Sequence, residues 1–139
     1  MSGAAVVLRA SGRRSEAFLT TVEGLLERLW HDDPWAGLAD RTAFEIAVIE
    51  AVSNSIRHAV ARAGTPMVLE IELRPTYRRL EAELREVGAQ PTPSLRHEPG
   101  AAPVAGRGLA MLKQLMTEVR YERAGDVNVW TLGRDRTDI

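Results

Sequence analysis

Residues 50–59 read EAVSNSIRHA, and how this stretch is read decides the fold. It continues a helical spacing of apolar residues, Phe44, Val48, Ala51, Val52, Ile56 and Ala59. Its middle, however, is Ser53, Asn54 and Ser55, residues that serve helix interiors poorly; Asn costs about half a kcal/mol there relative to Ala. At 100° per residue, Glu50, Asn54 and His58 fall within about 80° of one another, while the apolar residues centre on another side. A carboxylate, an amide and an imidazole therefore share one stripe. Spacing alone suits a plain solvated face, whereas the propensity cost points to a stripe with work to do. Glu and Asn one turn apart suit magnesium-nucleotide chemistry. Magnesium keeps several waters and takes few protein oxygens, so one neutral Asn carbonyl can hold it beside a triphosphate, leaving Glu50 to orient or deprotonate an attacking hydroxyl.

Outward from this helix the chain alternates elements without repeats. Asp40 is a candidate N-cap, and the helix is expected to stop near Gly64-Thr65-Pro66. Before it, Ala4 to Arg9 reads as a short strand. Ser15 then caps a helix carrying Phe18, Val22, Leu25, Leu26 and Leu29, which ends near Trp30 ahead of Pro34. After it, MVLEIELR and RRLEAELREVG alternate apolar and charged residues as adjacent half-buried strands. From Ala89 to Ala105 the pattern vanishes among Pro91, Pro93, Pro99, Gly100 and Pro103, a long loop of the kind that compact domains keep for a use. GRGLAMLKQLMTEV then opens a helix with Leu109, Leu112, Leu115 and Met116 inward, and VRYER and VNVWTLGR supply two strands around Gly125. The sum is an α+β, two-layer sandwich: a mainly antiparallel sheet with helices on one face. Trp30, Trp35 and Trp130 could serve an interface or sit in the core, and the core is the expectation.

The 139 residues, 45% hydrophobic, suit a single domain spanning 1–139. Eighteen Lys plus Arg against nineteen Asp plus Glu leave a net charge of -1, so no broad basic surface attracts nucleic acid or anionic lipid, and any anion site is local. With no Cys there are no disulfides or thiolate metal sites. The apolar run from Ala4 to Leu8 is too short for a signal peptide or membrane span, and a cytoplasmic protein is the expectation.

GRGL, residues 106–109, lies where the loop becomes a helix. Helix N-termini offer unpaired N–H groups, glycines let a phosphate approach the backbone, and Arg107 adds a charge-assisted contact. The glycines by themselves are equally consistent with a simple turn. No G-x-x-x-x-G-K-[ST] is present, so a P-loop is excluded. The order of helix with EAVSNSIRHA, strand ending REVG, Pro-rich loop and GRGLAML resembles the Bergerat-type GHKL ATP-binding fold of gyrase, histidine kinases and MutL. Within it, the chain is most similar to the small bacterial anti-sigma-factor serine kinases, over residues 4–134.

That resemblance implies roles by position. Glu50 is the catalytic base, Asn54 the magnesium ligand, and His58 stands where the same box commonly has His. Glu86-Val87-Gly88 takes the place of an Asp-x-Gly box whose acid accepts a hydrogen bond from the adenine amino group, with Glu86 one methylene longer than the family's Asp. Residues 89–105 form the ATP lid, and Gly106, Arg107, Gly108 and Leu109 bind phosphate. Gly125-Asp126 stands where many members read Gly-Thr. The implied cofactors are ATP and Mg2+. The implied activity is transfer of the γ-phosphoryl group to a serine of an anti-sigma-factor antagonist, alternating with sequestration of a sigma factor, with a homodimer through the sheet face and neither nucleic acid nor membrane as partner. A nonenzymatic partner-binding module with a degenerate nucleotide site, and an ATPase using water as acceptor, are the alternatives.

Overall fold

The computed structural model describes residues 6–92 and 103–137, with the backbone alone for 103–107. In chain order the elements are β1 (Leu8–Arg13), α1 (Glu16–Asp32), α2 (Leu38–His58), β2 (Val68–Pro75), β3 (Arg79–Val87), α3 (Pro103–Leu115), β4 (Glu118–Ala124) and β5 (Val127–Asp135). The five strands form one antiparallel sheet in the order β1-β2-β3-β5-β4. The α+β sandwich expected from the sequence is the observed architecture.

Strand alternation sorts the sheet into rows. One row facing the helices runs Leu8, Leu73, Ala82, Leu132, Val119; the next runs Ala10, Ile71, Leu84, Trp130, Tyr121. Against them α1 buries Phe18, Val22, Leu26, Leu29 and Trp30, and α2 buries Phe44, Val48 and Val52 together with Ala43, Ala47 and Ala51, small residues that bring the helix close to the sheet. Each fully buried Phe or Leu in this layer contributes about 1.5–3 kcal/mol. A third row, Gly12, Leu69, Glu86, Asn128, Arg123, turns polar over β3, β5 and β4.

The opposite face is a ladder of charges. Arg9 and Arg74 each reach Glu72 at 2.8 Å, Arg74 also reaches Glu81 at 2.9 Å, and Arg85 meets Glu83 at 2.6 Å. The hydrogen bond from Arg9, opposed by partial burial and helped by Arg74, holds the Glu72 carboxyl below its ordinary range. A concavity of about 510 Å³ between Arg9, Glu70, Glu83 and Arg85 lies on this outer side, away from the polar row just described.

Several boundaries differ from the expected ones. The first strand is Leu8–Arg13 and not Ala4 to Arg9, because Leu8 is the residue that pairs inward opposite Leu73; residues 4 and 5 lie outside the described residues. Helix α2 ends at His58, six residues before Gly64, because residues 60–62 join the sheet edge: Ala61 bridges Ala89, and Arg62 N–H donates to Gly88 O at 2.9 Å. Asp40 is not the N-cap, which is Gly37. The Asp40 carboxylate is instead fully buried and accepts from Arg134 Nε, Thr137 N and Thr137 Oγ1, each at 2.9 Å. Asp40 stands three positions beyond the cap, inside the first turn, where its carboxylate reaches the guanidinium of Arg134. Trp30 is buried and Trp130 packs against the core, but Trp35 is 83% exposed in the α1–α2 connection. Among the described residues no helix is long and apolar enough to cross a membrane.

Candidate functional site

Helix α2 carries two polar edges at its C-terminal end, and each meets a different neighbour. Glu50 and Asn54, one turn apart, face α3. The contact is so close that a Cβ added at Gly108 would lie 2.6 Å from Asn54 Nδ2 and 3.2 Å from Glu50 Oε1. With glycine here, the Asn54 amide and the Glu50 carboxylate lie directly against the α3 backbone without having to shift. Asn54 Oδ1 accepts a long bond of 3.2 Å from Arg57 on the exposed side.

Ser55 faces the sheet instead, and its hydroxyl donates to Glu86 Oε2 at 2.5 Å. Glu86 is only 3% exposed, and its other oxygen, Oε1, accepts from Asn128 Nδ2 at 2.8 Å. Asn128, fully buried, accepts in turn from Tyr121 Oη at 2.6 Å and from Arg123 NH1 at 2.9 Å. The extra methylene of Glu86 is thus accommodated by drawing the carboxylate toward α2 and β5. A buried carboxylate with hydrogen bonds to both oxygens meets the requirement for burying a charge.

Gly88 follows at the strand end with φ +80°, a conformation that L side chains rarely adopt, and a Cβ there would press on Pro66 O at 3.0 Å. Its N–H donates to Asp126 O at 2.9 Å, and Ala89 N–H to the same carbonyl at 3.2 Å. The backbone of Asp126, not its side chain, therefore closes this corner.

The structure brings Glu50, Asn54 and Gly108 together, with Glu86 one helix edge away behind Ser55. Leu109 is half-buried in α3. His58 is exposed at the end of α2, and among the described residues no hydrogen bond or ion pair ties it to the others. Gly106 and Arg107 correct an expectation. They do not open the helix, because α3 starts at Pro103, so they lie within its first turns; Pro at the first helical position suits a residue without an N–H. The side chain of Arg107 lies outside the described residues, as do residues 93–102 of the expected lid. Ser55, Asn128, Tyr121 and Arg123 belong to no motif that the sequence displays. Counting every second position along β3, β4 and β5 finds the last three, since they continue the inward rows of Leu80, Val119 and Leu132.

No group of three or more His, Cys, Asp or Glu side chains among the described residues is arranged to hold a metal ion. The neighbouring donors are one carboxylate and one amide oxygen, a set too small for a stand-alone cation site. It fits a hard cation that brings most of its shell from phosphate and water.

A five-stranded antiparallel sheet under helices, a polar helix edge set against a second helix, and a buried acid on the sheet beside them define a nucleotide-binding domain of the GHKL, or Bergerat, type. The sequence matches the histidine kinase-like ATPase domain over residues 12–133, and the chain belongs to that family. No curated protein matches it. Among solved structures, the crystal structure of the RsbU and RsbW domains of Rv1364c from Mycobacterium tuberculosis is similar in fold, with a TM-score of 0.66 and 19% identity. That match covers 94% of this chain and 32% of the other, so this chain spans about a third of that chain's length.

Proposed function

We propose that this chain is an ATP-dependent serine-protein kinase and anti-sigma factor of a partner-switching system, phosphorylating an antagonist protein and sequestering a sigma factor in the cytoplasm. The observation that carries the reading is the apposition of Glu50 and Asn54 with Gly108, which sets a carboxylate and an amide against the second turn of α3 in a family of ATPase domains. The similarity in fold to a chain with RsbU and RsbW domains supports the regulatory setting.

In this mechanism Glu50 accepts the proton of the acceptor serine hydroxyl as its oxygen bonds to the γ-phosphorus and the bond to the β-phosphate oxygen breaks, leaving ADP. Such transfer depends mainly on positioning and charge neutralisation. Asn54 Oδ1 is the oxygen that would hold Mg2+, which supplies charge neutralisation at the phosphates when bound. Arg107 and the N–H groups of the first α3 turn bind phosphate, and His58 stands at the outer end of α2. Gly88 sets the backbone corner beside Glu86, the base acceptor. Since Gly108 already touches Asn54, room for a triphosphate comes from α3 drawing back from α2. The charge ladder of the outer sheet face, with both signs interspersed, is the surface assigned to a homodimer.

One observation favours the second reading, a nonenzymatic partner-binding module. Glu86 is buried with both oxygens engaged, and the α2–α3 contact is closed. Calorimetry with ATP, with and without magnesium, decides between them. Magnesium-dependent binding that Asn54→Ala weakens supports the kinase, and no binding up to about millimolar nucleotide, where affinity is only about 4 kcal/mol, eliminates it. Incubation with labelled ATP and a candidate antagonist then separates label on protein from free phosphate, the ATPase outcome.

A further inference from the structure

The third row of the sheet continues past Glu86 into a chain of hydrogen bonds with a fixed direction. Asn128 is fully buried, and the partners around its amide fall into two kinds. On one side are Tyr121 Oη and Arg123 NH1; on the other are Glu86 Oε1, Gln90 O at 2.7 Å and Thr92 Oγ1 at 3.3 Å. A guanidinium only donates, and a carboxylate and a backbone carbonyl only accept. The amide therefore has one orientation, oxygen toward Arg123 and nitrogen toward Glu86, since the reverse would set donor against donor and acceptor against acceptor. Tyr121 adds to this choice: its oxygen accepts from Thr92 N–H at 3.1 Å, leaving its proton for Asn128.

Ser55 completes the pattern from α2. With Asn128 N–H on one Glu86 oxygen and the Ser55 proton on the other, every proton at the carboxylate comes from the protein side. A carboxylate has about four lone-pair sites, so acceptor capacity remains, and no donor faces outward from it. The cation of Arg123, which also donates to Ala89 O at 2.7 Å, stands behind Asn128 and offsets the buried charge through it.

We propose that Asn128, oriented by Arg123 and Tyr121, is a positioning residue for nucleobase selection: with Ser55 it presents Glu86 as an acceptor-only surface that takes a base with an exocyclic amino group and rejects one with a carbonyl there. This rests on the nucleotide-binding reading above. A carbonyl oxygen placed against this surface meets oxygen with no hydrogen between, whereas an amino group fills the free lone pairs. Sites built to hydrogen-bond a donor reject analogues lacking it far more strongly than apolar pockets discriminate by shape. Without Asn128, the long Glu86 side chain has one oxygen unheld and is free to turn, and selection is lost through Glu86 although Asn128 itself touches no ligand.

The test compares three ligands in the presence of magnesium: a non-hydrolysable ATP analogue, its inosine counterpart with a carbonyl in place of the amino group, and inorganic tripolyphosphate, which has no base. Wild type is expected to prefer the adenine analogue by at least about 30-fold. Asn128→Leu, which keeps shape and removes polarity, should bring the two nucleotides within about threefold of each other while tripolyphosphate binding stays put. Tyr121→Phe, which keeps the edge-to-face contact with Trp130 at 5.0 Å, should lower the preference to an intermediate value and serves where Asn128→Leu does not fold. A merely structural role would weaken all three ligands alike and overturns the proposal. Full wild-type preference in either folded variant also overturns it while leaving nucleotide binding intact, whereas wild type that binds none of the three refutes the underlying reading and this one with it.

Discussion

Replacing Gly108 with Ala separates stability from binding. The new methyl would lie 2.6 Å from Asn54 Nδ2, against the 3.4 Å or more of ordinary contact, so the amide must move by nearly an ångström, and Glu50 Oε1, at 3.2 Å, must give by tenths. The obstacle is the end of a side chain and not backbone, so the amide can turn. Turning it breaks the exposed bond from Arg57 to Asn54 Oδ1, worth about 0.5–1 kcal/mol, and strains the rotamer by about 0.5–1.5 kcal/mol. Against this, Gly to Ala within α3 gains about 1 kcal/mol of helix propensity. The net falls between zero and a loss of about 1.5 kcal/mol, a shift of a few degrees in Tm for a domain of this size. On the proposed roles binding should respond quite differently, because the oxygen proposed to hold the metal is turned aside and a methyl occupies the place proposed for the approach of phosphate. A loss of at least tenfold, about 1.4 kcal/mol, is expected. Scanning thermal denaturation and calorimetry with magnesium and a non-hydrolysable ATP analogue read the two effects. Wild-type affinity in Gly108→Ala would refute the assignment of this contact to the phosphate site, and a stability loss above about 3 kcal/mol would refute the side-chain arithmetic.

Glu50→Ala should hold nucleotide affinity within a few-fold yet lower phosphoryl transfer by about 10²–10⁴, since it removes a proton acceptor needed only in the transition state; unchanged turnover contradicts the assignment. Asp40→Ala leaves the guanidinium of Arg134, which also donates to Leu115 O at 2.7 Å, without its buried partner, and should cost about 3–5 kcal/mol in urea denaturation. A cost under about 1 kcal/mol would mean that water takes the partner's place. Glu72 has a folded-state pKa below its ordinary value of 4.5, so its contribution is complete above that value and disappears as pH falls through the lower folded one. The stability difference between wild type and Glu72→Gln should therefore be flat above about pH 4.5 and shrink below it; a difference that grows on acidification would reverse the sign.

The sheet and its helical cover were legible because burial imposes a period. Leu69, Ile71 and Leu73 alternate on β2 as Leu80, Ala82 and Leu84 do on β3, and the structure buries all six. Boundaries were less legible where tertiary pairing overrode local preference. Ala59 to Ala63 reads as helix, yet Ala61 leaves to bridge Ala89, and no local pattern announces a partner 28 residues away. The start of α3 was less legible, because Gly106 and Gly108 suggest a loop-to-helix junction whereas Pro103, suited to a first helical position, opens the helix ahead of them. Within the site, Glu50 and Asn54 could be found because helical spacing put them on one stripe. Ser55 falls on another edge, and its partner Glu86 lies 31 positions on.

The two edges explain why the middle of α2 tolerates Asn and Ser at all. Asn54 and Ser55 each sacrifice about half a kcal/mol of helix propensity. A hydrogen bond to a buried charged group contributes about 1.5–3 kcal/mol, so the bond from Ser55 to Glu86 more than offsets its local cost and Ser55 stabilises the fold as it stands. Asn54 has no such return among the described residues, where its one hydrogen bond is the long, exposed one from Arg57. Its presence against Gly108 is therefore unexplained by stability, and an uncompensated polar residue at a helix contact is where a binding role is to be sought. Ser55→Ala and Asn54→Ala should accordingly divide: the first loses stability by about 1–3 kcal/mol, whereas the second leaves it within about 0.5 kcal/mol and loses magnesium-dependent nucleotide binding. If both variants lost stability equally, Asn54 would be a structural residue and the site would lose its metal ligand.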